Sequence, residues 1–262
     1  MQERHQNRKQ YFNELANTSR AFYIDYLRPE IEISEQTRVL EIGCGEGGNL
    51  LPFAEIGCQV TGIDLSETRI AQAREFFAEA GQKATFLSQN FILAEKPATE
   101  DERFDLILIH DVIEHIEKPY KREFFEHIRP FLKPNGLVFF GFPAWQMPFG
   151  GHQQICRGLA GKLPFIHLLP NPLYKAIFRA CGNGDNCVNE LLSIKRARMS
   201  IERFERLSRD CGYTVVRRTL WLVNPHYQQK FGLTPRRLNA FLSRLKFVRN
   251  FYTTSAFYLL RA

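Results

Sequence analysis

Apolar residues along the chain follow two rhythms, and each predicts a different element. Phe12, Leu15, Ala16, Phe22, Ile24 and Leu27 fall near helical spacing and predict a helix over residues 10–29. From residue 38 short apolar runs alternate with longer mixed stretches. RVLEIG reads as a first strand, and NLLPFAEIG as a helix ending near Gly57. CQVTGID is a second strand; Ser66 caps the helix ETRIAQAREFFAEAG, and Gly81 stops it. KATFLSQN and FDLILIHD are the third and fourth strands. PYKREFFEHIRPFL is a helix, and the turn KPNG leads into the fifth strand, LVFFGFP. Strands separated by helices of this length imply βαβ units and a parallel sheet.

The rhythm breaks after Pro143. Residues 144–199 carry Gly150, Gly151, Pro164, Pro170 and Pro172, too many turn signals for another βαβ unit. SIERFERLSRDCGY is again a helix, opened by Ser200 and closed by Gly212. TVVRRTLWLV and FYTTSAFYLL are the last strands, and TPRRLNAFLSRLKFV between them is expected to be helical with Pro235 in its first turn. The expected organisation is an N-terminal helix with a sheet-bearing core over 1–143, an inserted cap over 144–199, and a completion of the sheet with a basic helical connection over 200–262. There is no internal repeat or low-complexity tract.

A composition of 44% hydrophobic and 24% charged residues is that of a globular chain with a full core. No apolar run reaches the roughly 18 residues of a membrane-spanning helix, and MQERHQNRKQ is not followed by the apolar segment of a secretory leader, so a cytoplasmic setting is expected. The six cysteines form no C-x-x-C pair and are read as reduced thiols, including Cys181 and Cys187 in CGNGDNC. No metal-ligand spacing is evident. The net charge of +7 is uneven: residues 191–262 hold fifteen Lys/Arg against three Asp/Glu. That asymmetry fits an acidic partner, substrate or membrane surface, or else a solvated basic face, and the last is favoured.

VLEIGCGEGGNL holds the densest chemical signal. Gly43, Gly45 and Gly48 satisfy G-x-G-x-x-G after a strand, and Asp64 follows about twenty residues on, where an acid accepts hydrogen bonds from ribose hydroxyls. The glycines alone fit either a dinucleotide or S-adenosylmethionine. Glu41 discriminates: a fixed carboxylate is poorly placed beside a pyrophosphate and well placed beside an ammonium and a sulfonium.

With VTGIDLS, FDLILIHDVIEHI and FLKPNGLVFF in order behind that loop, the chain resembles the class I, seven-stranded, S-adenosylmethionine-dependent methyltransferases, and in particular the small-molecule O-methyltransferases of quinone biosynthesis. The resemblance is dense over residues 38–142, loose over 200–222 and 251–260, and absent over 143–199. It implies an α/β, Rossmann-like, mostly parallel seven-stranded sheet with helices on both faces and a cap inserted after strand five. It also implies that Glu41, Gly43, Cys44 and Gly45 surround the methionine part of the cofactor, that Asp64 holds the ribose, and that Leu65 lies against the adenine. Asn90 and Phe91, with Gln89, stand where the family carries an acid near the adenine amino group. His110 falls where the fourth strand passes the methionine moiety.

Methyl transfer to a hydroxyl needs a base, whereas an amine can lose its proton to solvent. Candidates are His110, Asp111, Glu114 and His115 at and after the end of strand four, with Asp111 and His115 favoured among them, and His152 in the segment PAWQMPFGGHQQ, whose Trp145, Met147 and Phe149 are expected to line an apolar acceptor pocket. Gly150 and Gly151 are read as letting that loop bend over the acceptor. LPFIHLLPNPLYKAIFRACG is read as core of the cap rather than as a membrane foot. The expected function is methyl transfer to an oxygen or nitrogen of a small molecule, one that is partly apolar and anionic. The alternatives are an RNA or protein methyltransferase using the basic C-terminal region, and a module that binds cofactor without catalysis.

Overall fold

Along the central strands almost every residue is apolar, so both faces of the sheet must be covered. The computed structural model describes residues 7–262; the reading of the chain's start as lacking a leader falls in part on residues 1–6, outside that range. Helix α1 (Arg8–Thr18) runs through one π turn into α2 (Ile24–Leu27). The core follows as β1 (Arg38–Ile42), α3 (Leu51–Ile56), β2 (Gln59–Asp64), α4 (Glu67–Glu79), β3 (Thr85–Ser88), β4 (Phe104–His110), α5 (Lys121–Ile128) and β5 (Leu132–Phe142). Ser66 caps α4 through the Arg69 amide, and Gly57, with φ +101°, ends α3. The segment after β5 holds α6 (Asn171–Ala180) and α7 (Asp185–Ala197). The chain closes with α8 (Ile201–Asp210), β6 (Thr214–Val223), α9 (His226–Phe231), β7 (Arg236–Arg237), α10 (Ala240–Arg244), α11 (Arg249–Tyr252) and β8 (Ser255–Arg261).

The strand order is β3-β2-β1-β4-β5-β8-β6-β7. Strands β1 to β5 are parallel, and β8 runs antiparallel between β5 and β6. Alternation divides the core: Leu40, Ile42, Ile107, Ile109, Val138 and Phe140 pack with Phe125 of α5 and Phe204 of α8 on one face. Val39, Leu106, Leu108, Leu137 and Phe139 pack with Phe12 of α1, Phe53 of α3 and Phe77 of α4 on the other. The cap has a small core of its own, with Tyr174, Phe178, Val188 and Leu191 at its centre. Among the described residues no helix is long and apolar enough to cross a membrane.

Four sequence expectations change. The sheet has eight strands rather than seven, because Arg236 and Arg237 pair with Val223 and Trp221 at its edge. Pro235 therefore lies before an edge strand and not in a helix; Leu238 donates its amide to Leu220 O at 2.7 Å, and Asn239 caps α10. Cys156 and Cys187 form a disulfide, with a Cα separation of 6.4 Å that lies within the usual range for such bonds. Cys44, Cys58, Cys181 and Cys211 are free thiols. Finally, LPFIHLLPNPLYKAIFRACG is only partly core: Ile166, Tyr174 and Phe178 are buried, whereas Leu163, Phe165, Leu168 and Leu173 are exposed.

Candidate active site

Strands β1 and β4 are neighbours although β2 and β3 intervene in sequence, so the chain leaves their carboxyl ends in opposite directions and a crevice opens there. The glycine loop closes one side of it. The Gly43 and Cys44 amides both donate to Ile63 O, at 2.7 and 3.1 Å, which folds the loop back over β2. Gly43 has φ +74°, and a Cβ there would lie 2.4 Å from Val112 Cγ2, so only glycine lets the loop pass the segment after β4. Asp64 Oδ2 accepts the Gly45 amide and Oδ1 the Ser66 amide, both at 2.9 Å. A carboxylate has about four acceptor positions, so two remain for a diol.

A cavity of about 510 Å³ occupies the crevice, with Gly43, Asp64, Leu65, Asn90 and Phe91 in its wall beside Ile63, Arg69, Gln89 and Ile92. Its chemistry suits a nucleoside: the Asp64 carboxylate, an apolar shelf of Ile63 and Phe91, and Leu65, an apolar side chain 75% exposed at the rim. The Asn90 side-chain oxygen accepts the Ile92 amide and fixes the turn after β3. Glu41, Cys44, Gly45 and His110 are not among its lining residues. Cys44 is buried against Gly62, and His110 packs on Tyr23 at 5.3 Å. Glu41 is fully buried, with Oε1 accepting from Asn49 at 2.7 Å and Oε2 without a partner. Burial, reinforced by Asp64 and opposed by the Asn49 hydrogen bond, pushes its pKa up to about 8. An orphaned buried carboxylate of this kind fits a cationic group such as the ammonium of S-adenosylmethionine.

A second cavity of about 410 Å³ shares Arg69, Asp111 and His115 with the first. Met147, Phe149 and His152 of the cap line it, together with Tyr11 of α1 and Tyr227 and Lys230 of α9. Asp111 and His152 both have φ 54°, a region that few residues other than glycine adopt. The Asp111 amide donates to Gly141 O at 2.8 Å, which holds this strained residue at the junction of β4 and β5. The rings of His115 and His152 meet edge to face at 4.9 Å. Burial lowers both pKa values; that of His152 falls to about 4 with His115 adding and Asp111 opposing, while Asp111 also opposes the shift of His115. Both imidazoles are therefore neutral near pH 7. Glu114 is buried beside them, its oxygens without hydrogen bonds and Oε1 4.0 Å from His115 Nε2, and burial and Asp111 hold its pKa well above the usual carboxylate range. Ligand atoms of Glu114, His115 and His152 all lie within 4.8 Å of one another, a grouping able to converge on a divalent cation.

Two pocket expectations are corrected. Trp145 does not line either cavity; it is buried edge-on against His167 at 4.7 Å. Gly150 and Gly151 are sites of close approach rather than bending points: a Cβ would fall 2.1 Å from Trp145 O at the first and 2.2 Å from His167 Cβ at the second. The sequence reading missed Tyr11, Arg69, His226, Tyr227 and Lys230 as lining residues. Arg69 had a legible signal, because the first turn of α4 follows Asp64 and faces the crevice. The α9 residues had none, since only the return of β6 to the sheet brings them there.

Comparison with known proteins agrees with this geometry. Residues 39–136 match the family described as a methyltransferase domain. A ubiquinone biosynthesis O-methyltransferase of Chelativorans sp. is 38% identical over 105 residues, which is 40% of each chain. The chain spans about half the length of other curated relatives it matches. Among solved structures, an S-adenosylmethionine-dependent methyltransferase of Clostridium acetobutylicum superposes with a TM-score of 0.59 at 12% identity, covering 94% of this chain and 91% of that one. The magnesium protoporphyrin IX methyltransferase of Synechocystis, solved with SAH bound, gives 0.57 at 13% identity, covering 94% and 83%. Glycine loop, Asp64, sheet order and sequence match thus converge: residues 39–136 carry a methyltransferase domain, on a fold shared with S-adenosylmethionine-dependent methyltransferases.

Proposed function

We infer that the protein methylates a hydroxyl oxygen of a small, partly apolar acceptor held in the second cavity, and that residues 144–199 select that acceptor. One observation carries the reading: the two cavities share Asp111 and His115, with the His152 ring against His115 at 4.9 Å. When bound, the cofactor supplies a methyl group already activated on a sulfonium. The chain's own task is to hold the acceptor in line, exclude water and take one proton. His115 is the better base: Asp111 is the main influence opposing the loss of basicity that burial imposes on it, whereas on His152 the neighbouring His115 outweighs Asp111 and the pKa falls to about 4. His152, kept neutral, orients the hydroxyl through a hydrogen bond. Tyr11, Met147, Phe149 and Tyr227 offer an apolar slot, and Arg69 and Lys230 favour an acceptor with negative charge. A neutral base at the junction favours oxygen over nitrogen, in keeping with the name of the Chelativorans relative.

The test is transfer of labelled methyl groups at neutral pH to separate panels of phenols, amines and mixed RNA, with Asp64→Ala as the cofactor-binding control. Label in phenols that disappears in the variant supports the reading. Label confined to amines or RNA overturns it. Calorimetric binding of S-adenosylhomocysteine with no transfer to any panel makes the domain a binding module.

A further inference from the structure

One buried cation beside the site has no part in the chemistry above. Lys121 is the first residue of α5, yet it is only 1% exposed. Lysine is almost never buried so far unless something engages it, because its ammonium gives up hydrogen bonds to water. Burial pushes its pKa down to about 7, with Glu114 opposing and Arg203 and Lys118 adding. A methionine would fill the same space without desolvating a charge, so packing alone does not account for a lysine there.

The group it engages belongs to the turn that carries His115. Lys121 Nζ donates to Ile113 O. Three bonds thus hold the start of the chain between β4 and α5. The Asp111 amide donates to Gly141 O at 2.8 Å and ties the turn to β5; the His115 amide donates to Val112 O at 2.9 Å and closes it; the Lys121 ammonium ties it to α5. Ile113 and Glu114 are buried, whereas the His115 side chain is 44% exposed, so the chain passes from core to crevice within two residues. The Ile113 carbonyl lies in the peptide plane that joins Ile113 to Glu114. Fixing that plane fixes ψ of Ile113 and φ of Glu114, and with them the direction in which His115 leaves the core. The Lys121 charge also acts on Glu114, whose Oε1 is 4.0 Å from His115 Nε2.

We propose that Lys121 is a positioning residue for His115, holding the Ile113 carbonyl so that the imidazole is presented where the two cavities join. The proposal rests on the reading of His115 as the base. Lys121 is not among the lining residues of either cavity, so it acts through the turn and not on a bound molecule. Its loss should therefore cost rate more than binding, because a small misplacement of a reacting group is expensive.

The experiment compares Lys121→Met, which keeps the stem and removes the donor, with Lys118→Met, which removes an exposed charge three residues earlier. Amide hydrogen exchange of the full chain over residues 112–116 should quicken about tenfold in Lys121→Met and stay unchanged in Lys118→Met. With a phenol acceptor, kcat should fall about tenfold or more in Lys121→Met while the acceptor KM moves less than about threefold. S-adenosylhomocysteine should still bind in calorimetry, because Asp64, Asn90 and Phe91 lie outside the turn. Unchanged exchange, or unchanged kcat, overturns the proposal. So does a fall in kcat accompanied by lost S-adenosylhomocysteine binding and a broadened melt, which would make Lys121 a residue of general stability. An equal fall in Lys118→Met would assign the effect to charge and overturn it too. Exchange is read without turnover, so a wild-type chain inert toward phenols refutes the methyl-transfer reading and leaves the hold of Lys121 on the turn to be judged by exchange.

Discussion

Gly43 and Gly45 sit two residues apart in the same loop, and alanine at each should behave differently. Both have positive φ, +74° and +54°, so each substitution carries a left-handed strain of about 1–2 kcal/mol. At Gly45 the new Cβ has nothing within 4 Å, and the strain is the whole effect. At Gly43 it would lie 2.4 Å from Val112 Cγ2, so loop or valine must shift by about 1 Å, adding about 1–3 kcal/mol. Near this chain length about 1 kcal/mol moves the melting temperature by about 2–4 °C. Gly45→Ala should therefore melt roughly 2–8 °C lower, and Gly43→Ala about 4–20 °C lower, by differential scanning calorimetry. Val112 lines the first cavity, so Gly43→Ala should also weaken S-adenosylhomocysteine binding by about tenfold or more in titration calorimetry. Equal melting shifts and intact affinity in both variants would refute the claim that the loop passes so close to the segment after β4.

Three further outcomes follow from the site and the cap. His115→Gln should lower turnover about a hundredfold or more and remove the acid limb of the pH–rate profile, while His152→Asn, which suits φ 54°, should lower kcat/KM about tenfold; turnover unchanged in both would take the pair out of the mechanism. His167 is fully buried with Nε2 2.8 Å from Trp145 O, and burial lowers its pKa to about 4. The unfolded chain takes up that proton first, so up to about 3 kcal/mol of stability should be lost as pH falls from about 6.5 to about 4, and none as pH rises. Denaturant melts across that window, compared with His167→Gln, measure it. The disulfide between Cys156 and Cys187 closes 31 residues of the cap, and its loss in Cys187→Ser should destabilise the cap by about 3–4 kcal/mol. Limited proteolysis with and without reductant reads this, and identical cleavage of residues 144–199 in both would exclude a stabilising link.

Much of this protein was legible in its sequence because the determining interactions are local. Alternation in LILI and VFF sets two buried faces; Ser66 and Gly57 mark helix ends through their own backbone and side-chain chemistry; and Gly43 followed by Asp64 announces a loop that a nucleoside can approach. The site residues divide along the same line. Asp64, Leu65, Asn90, Phe91, Asp111 and His115 lie at or within a few residues of the ends of strands that form the crevice, and they line its cavities. Only tertiary structure decided the rest. His152 stands 37 positions beyond His115, and no periodicity relates two rings that meet because the cap folds back over β4. The α9 residues reach the second cavity only because β6 returns to the sheet beside β8, and Tyr11 joins them because α1 packs against α9. Cys156 and Cys187 likewise find each other through the cap's small core. Sequence fixes spacing along one chain, whereas contact between distant segments depends on how several packed faces settle together, and that is a property of the whole fold.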